Sequence, residues 1–259
     1  MLNYANAEFY KVFRRKYLYV TFFSILALAA LLCAGFIFVN NGGAHVEFTQ
    51  GAQNMLMMLS VGLYAAILVC DMVFSDQYKS NTLKNEVSFG IPRARIYLGK
   101  LAVEAFIGVV MSVLVVAFYV GMCYLTLYPS PREDAVLALQ IIGYCVLAAI
   151  PQWLAALALT NMFFFLVKGN TLASFLTVGV IAVVPVVLEL SILLFGYRFP
   201  QLSEVLNVMR NHMPTLLIER AMSVVGDWGF MGKSWLVGGA WVVVSSAMGL
   251  IGFQKKEIV

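Results

Sequence analysis

Three carboxylates stand within or at the ends of long apolar runs: Asp71, Glu104 and Glu189. An ionisable side chain in a hydrocarbon-spanning segment is costly, and by default it is a candidate for function. Asp71 and Glu104 fall close in sequence to Lys79, Arg95 and Lys100, a spacing that predicts ion pairs at a membrane interface. Glu189 lies nearer the far end of its run and is open to two readings, a substrate role or pairing with Arg198. Other catalytic chemistry lacks its parts. No HExxH, GxSxG or CxxC occurs, and the two histidines, His45 and His212, are far apart in sequence, so zinc and triad chemistry have no ligand set or base. Gly232-Lys233-Ser234 imitates the end of a phosphate-binding loop, but the required earlier glycine is Asp227 and no strand precedes it. The cysteines Cys33, Cys70, Cys123 and Cys145 all sit in apolar runs and read as packing residues.

The elements that must position these residues follow from the distribution of charge. Of 259 residues, 62% are apolar and 12% charged, about half the charge of an ordinary soluble domain, which excludes a water-soluble globule. Charge-free intervals predict six spans, at about 18–39, 55–74, 101–127, 136–167, 172–195 and 235–253. The third and fourth exceed what a ~30 Å hydrocarbon core needs, so they tilt or extend beyond it. Pro151 and Pro185 each remove a helix hydrogen bond and are expected to kink or split spans four and five. The expectation is an all-α membrane protein, one transmembrane domain over residues 1–259, with too little chain left for a soluble domain. With the N-terminus inside, twelve Lys and Arg fall on inner segments and five on outer ones, which predicts cytoplasmic termini. The same assignment leaves no basic face for nucleic acid; the positive charge faces anionic lipid.

Four regions depart from plain spans. Residues 1–16 form an interfacial helix with Leu2, Ala5, Phe9, Val12 and Phe13 toward the bilayer and Glu8, Lys11, Arg14 and Arg15 on the other face. It serves either as an anchor or also as an elbow touching a cytoplasmic partner. Between spans two and three, Asn81 or Thr82 caps a short helix through Ser88, closed by Gly90, and Pro92 starts the next helix with Arg93, Arg95 and Lys100 at its base. A capped helix held at the surface is either a connector or a device that passes a push to both spans it joins. Between spans five and six, Leu202, Val205, Leu206 and Met209 form one outer stripe. After Pro214 comes a second, which makes Pro214, with Glu189, a candidate path or gate residue.

This layout resembles the membrane-spanning permease subunits of ATP-binding-cassette type-2 exporters. The residues that carry the resemblance are Glu8-Phe9-Tyr10-Lys11 with the basic run to Lys16, the stretch from Phe74 to Asn85, Gly90-Ile91-Pro92-Arg93 through Tyr97-Leu98-Gly99-Lys100, and Asn211-His212-Met213-Pro214. The family's acid before its Gly-Thr-Leu turn corresponds to Asp76, and its glycine position is Asn81 here. The resemblance implies a six-span half-transporter in a bacterial cytoplasmic membrane, paired as a homo- or heterodimer with a second permease subunit. It also implies cytoplasmic ATPase subunits that bind ATP and Mg, this chain binding no cofactor or metal of its own. In that picture Asp76, Lys79, Asn81, Thr82, Leu83, Lys84, Arg93 and Arg95 couple to the ATPase, and Glu8, Phe9, Lys11 and Arg14 of the interfacial helix assist. Family members serve export of, or immunity to, antimicrobial peptides such as lantibiotics, and others move drugs or lipids. The alternative from another class is a secondary transporter driven by an ion gradient through Glu189.

Overall fold

The computed structural model describes residues 2–74 and 82–256, and these are helical with short connections. The chain is an all-α membrane protein: among the described residues five helices are long and apolar enough to cross a bilayer, and one bent pair of helices meets the same standard when its halves are taken together. In chain order, α1 (Leu2–Phe13) precedes α2 (Lys16–Asn41). Next come α3 (Phe48–Met58) and α4 (Val61–Phe74), then the short α5 (Thr82–Ser88). The long helices α6 (Arg93–Thr126) and α7 (Arg132–Leu166) follow. After them run α8 (Asn170–Val178), a π-helical turn (Gly179–Val183) and α9 (Val184–Phe195). Two amphipathic helices, α10 (Pro200–Asn211) and α11 (Pro214–Ala221), lead to α12 (Trp228–Lys255).

The predicted second span is not one helix. Its residues divide between α3 and α4, which meet at 59° across Leu59 and Ser60. At the break the Leu59 carbonyl accepts from the Gly62 N–H at 3.1 Å and from the Trp153 indole N–H of α7 at 3.0 Å. The indole thus adds one neutral hydrogen bond, about 0.5–1.5 kcal/mol net, that ties the break to α7. Gly62 is needed at the same point, because a Cβ there would run into the Trp153 ring.

The two prolines expected to kink or split their spans are both accommodated within helical geometry. Helix α7 continues unbroken through Pro151, which packs against Gly238 of α12 so closely that a Cβ at 238 would meet the Pro151 backbone. Pro185 is the second residue of α9, and the turn before it widens to π-helical geometry. A proline cannot donate an N–H and crowds the preceding turn, and widening that turn accommodates it without ending the helix.

Helix α7 is the hub. Of its most apolar stretch, 67% is buried inside the bundle, against 11% for α2 and for the α8 to α9 span. Alanines at 148, 149, 155, 156 and 158 are buried along it, and small residues let neighbouring backbones approach where there is no hydrophobic drive between helices in lipid. Helix α12 is fastened alongside: the Gln152 amide donates to the Ser234 carbonyl at 2.8 Å and its hydroxyl at 3.0 Å, while that hydroxyl donates to the Ala148 carbonyl at 2.8 Å. Ser234, the last residue of the phosphate-loop mimic, is thus a packing residue inside a helix.

Candidate functional site

The basal end of the bundle, where α1, α5, the start of α6 and the end of α12 meet, holds a network of charged side chains. It begins with Lys100, fully buried on α6, whose Nζ donates to Glu8 Oε2 at 3.1 Å. Glu8, also buried, accepts at Oε1 from Lys11 Nζ at 2.7 Å, and the same ammonium donates to Glu86 Oε1 on α5 at 3.1 Å. The Tyr4 hydroxyl completes it, donating to Glu86 Oε2 at 2.8 Å. Four charges of alternating sign and one phenol therefore join three elements far apart in sequence. Charge-assisted hydrogen bonds are about twice as strong as neutral ones, and buried pairs fix one geometry when every lone pair is satisfied.

Local structure explains the assembly. Tyr4, Glu8 and Val12 recur at i, i+4 and i+8, so they share one face of α1. That face turns to the bundle: Glu8 and Val12 are buried, Ala5 and Phe9 beside them are partly buried against the core, and Phe13 is exposed. The expectation that Glu8 lies on the solvent face is corrected here, because Lys100 offers a buried counter-charge that outweighs the desolvation of the carboxylate. Gly99 permits the contact, since a Cβ at that position would strike the Tyr4 ring.

The electrostatics follow the geometry. Burial works to raise the Glu8 carboxyl, but the ammonium groups of Lys100 and Lys11 prevail and hold it below the usual carboxylate range. Burial works to lower Lys11, and the Glu8 and Glu86 carboxylates prevail and raise it. The Tyr4 phenol is pushed up, first by burial and then by the same two carboxylates.

Helix α5 presents two faces. Leu83 and Glu86 are buried against the bundle, and Lys84, Asn85, Ser88 and Phe89 are exposed, Phe89 at 86%. Gly90 ends the helix with φ of 80°, a left-handed conformation that suits glycine. Of the residues singled out for coupling, Asp76, Lys79 and Asn81 lie outside the described residues, Thr82 begins α5, and Leu83 points inward. Arg93 is engaged elsewhere: its guanidinium donates to the carbonyls of Phe253 at 2.6 Å, Gln254 at 2.8 Å and Lys256 at 2.8 Å, closing the C-terminal end of α12. Arg95, two residues on, is exposed. In α1, Phe9 meets the Phe106 ring edge-on at 5.2 Å, and Arg14 is exposed with its guanidinium over the Tyr10 ring at 4.4 Å.

Of the two acids read as interfacial, Asp71 has a partner on α8, and the Lys79 of its expected ion pair lies outside the described residues. Asp71 accepts from the Asn170 amide at 2.6 Å, which joins α4 to α8. Glu104, one turn beyond Lys100, is fully buried and neither of its oxygens has a hydrogen-bond partner among the described residues. The expected interfacial ion pair of Glu104 is corrected, because the Lys100 ammonium is taken by Glu8 of α1. Near Glu104 are the Cys70 thiol and Tyr97, the latter beside Asn161 and Ser246. The Tyr97 hydroxyl, both polar atoms of Asn161 and the Ser246 hydroxyl are likewise buried without partners among the described residues. Sequence reading missed this cluster, whose only advance signal was Glu104 itself.

At the opposite end, Glu189 is 60% exposed and pairs with Arg210 of α10 at 3.1 Å rather than with Arg198. Pro214 starts α11 and is buried with Leu217, Ile218 and Ala221. The described residues include no group of three or more His, Cys, Asp or Glu placed to hold a metal.

A search of curated proteins finds no match for this chain. A family described as ABC-2 family transporter protein matches residues 5–186, which takes in the four charged residues of the network, α5 and the helices up to the first residues of α9. With most of its length matched, the chain belongs to the ABC-2 transporter family.

Proposed function

We propose that this chain is the permease subunit of an ATP-driven exporter. It acts as one transmembrane domain over residues 1–259 that forms half of a substrate path and receives its energy from a separate ATPase carrying ATP and Mg. A second permease subunit, like or unlike, completes the path, and an amphiphile such as an antimicrobial peptide, drug or lipid is the cargo. The basal end faces the cytoplasm in a bacterial membrane, consistent with its excess of Lys and Arg.

The observation that supports this reading most is the clamp on α5. Its exposed side offers Lys84, Asn85, Ser88 and Phe89 to a soluble partner, while Glu86 on its buried side is bonded to Tyr4 and Lys11 of α1. Glu8 and Lys100 carry the connection into the long helix α6. Displacement of α5 is thereby transmitted to an interfacial helix and a span together, without any chemistry on this chain.

The test is co-purification with a separately encoded ATPase and measurement of its stimulation by the permease. Charge reversal by Lys84→Glu with Arg95→Glu should abolish both while the bundle remains folded by circular dichroism. An intact, stimulated complex from that double variant would refute the docking role of α5. Arg93 is left unchanged, since reversing it would also unfasten α12.

A further inference from the structure

A cavity of about 820 Å³ runs along α4 on the side facing α2 and α6. Its floor is made of small residues, Gly62, Ala65, Ala66 and Gly108, with the Trp153 ring and Met111 among the side chains lining it. The lining extends from Met72 at the basal end of α4 to Met58 beyond the Leu59 break. At 1.5 Å per residue that is about 20 Å, more than half of a ~30 Å hydrocarbon core. The cavity thus has the length of one lipid tail in one leaflet, in a wall that is almost wholly hydrocarbon. Methionines at 55, 58, 72 and 111 suit it to a chain of variable shape.

The basal end of the cavity is basic. Arg15 donates to the carbonyl of Met72, itself a lining residue, at 2.5 Å. That bond uses one of the five N–H donors of a guanidinium. Lys16, next along the chain, is exposed. The neighbouring acid, Asp71, accepts at Oδ1 from Asn170, and its single negative charge is outnumbered by Arg15 and Lys16. A tail-shaped groove whose basal end meets Arg15, with Lys16 next along the chain, matches a molecule with an acyl chain and an anionic head.

We propose that this groove holds one acyl chain of an anionic phospholipid, its phosphate at Arg15 and Lys16 and the end of its tail against the α3 to α4 break at Leu59 and Gly62. The lipid thereby touches the bent span, and its presence sets how easily the bend moves.

Trp153 reports directly on the occupant. In a full-length variant carrying Phe at positions 228, 235 and 241, the protein is reconstituted into phosphatidylcholine vesicles containing acyl-brominated phosphatidylglycerol or acyl-brominated phosphatidylcholine, and Trp153 quenching is titrated. If that variant does not fold, the difference between the parent and Trp153→Phe gives the same signal. Phosphatidylglycerol should quench at roughly fivefold lower mole fraction or better, the effect of about one cation near an anionic headgroup. Arg15→Gln with Lys16→Gln should remove the preference, and Ala65→Phe should remove the quenching by filling the groove. Equal quenching by both lipids in the parent would mean ordinary boundary lipid and overturn the proposal. So would absence of quenching by either, as expected if another polypeptide covers the groove, or a preference that survives Ala65→Phe.

Discussion

Lys100 Nζ stands 3.1 Å from Glu8 Oε2, with both side chains shielded from solvent, so an interfacial helix is pinned to the base of a membrane span by a buried ion pair. Breaking one side leaves a buried charge with no partner, and such losses cost about 3–5 kcal/mol. Glu8→Ala should therefore release α1, while Glu8→Leu combined with Lys100→Met should recover most of the stability. A double-mutant cycle on thermal unfolding in detergent measures this. Additive losses would show that the two side chains do not act as a pair.

The same pair makes the docking of α1 sensitive to acid. Because Glu8 is held below the usual carboxylate range, its contribution is complete above the unfolded value of about 4.3 and is lost as pH falls through the lower folded value. Hydrogen exchange of the α1 amides should accelerate over that acid window and stay flat from there to neutrality. Glu8→Gln should abolish the acid step, and an unchanged profile would assign it to another group.

Leu83 and Lys84 are adjacent in sequence and opposite in consequence. Leu83 is buried at 5% exposure, so Leu83→Asp should loosen α5 itself by about 3 kcal/mol or more, as expected for a charge placed in an apolar seat. Lys84→Glu and Phe89→Ala lie on the exposed side and should change stability by less than about 0.5 kcal/mol. Proteolysis near residue 83 distinguishes them, since only the Leu83 variant should gain a cleavage site.

At the broken span, Trp153→Phe keeps the ring but withdraws the donor from the Leu59 carbonyl. The carbonyl keeps the Gly62 N–H, so the loss should be that of one neutral hydrogen bond, about 0.5–1.5 kcal/mol. Gly62→Ala should destabilise by about 1–3 kcal/mol through overpacking against the same ring. A melting temperature unmoved in both variants would mean that the break is held by other contacts.

Glu104 is the one deeply buried acid among the described residues with both oxygens unpartnered. Glu104→Met keeps the volume and removes the stranded polar atoms, so the fold should gain about 1–3 kcal/mol. If transport falls while stability rises, the carboxyl serves the path. A loss of stability instead would show that it has a stabilising role in the bundle.

Much of the architecture was legible in the chain. Charge-free runs gave the spans because a charge in hydrocarbon is expensive wherever it falls, and α5 appeared at its predicted bounds because a cap and a Gly90 turn are local signals. The 59° break was not legible: the run from 55 to 74 is predominantly apolar, and one of the donors that holds the break, the Trp153 indole, comes from some ninety residues away.

The site shows the same division. Its members Glu8, Lys11 and Lys100 were visible as charges beside the membrane, since residue type and spacing alone mark them. Which charge meets which was decided by packing: α1 turns Glu8 inward to Lys100, and this leaves Glu104 alone and Arg93 free to close the end of α12. Sequence determines how much charge a membrane protein carries and near which interface. Only the tertiary structure brings distant helices within 3 Å or so, the range over which a buried charge finds its partner or is left without one.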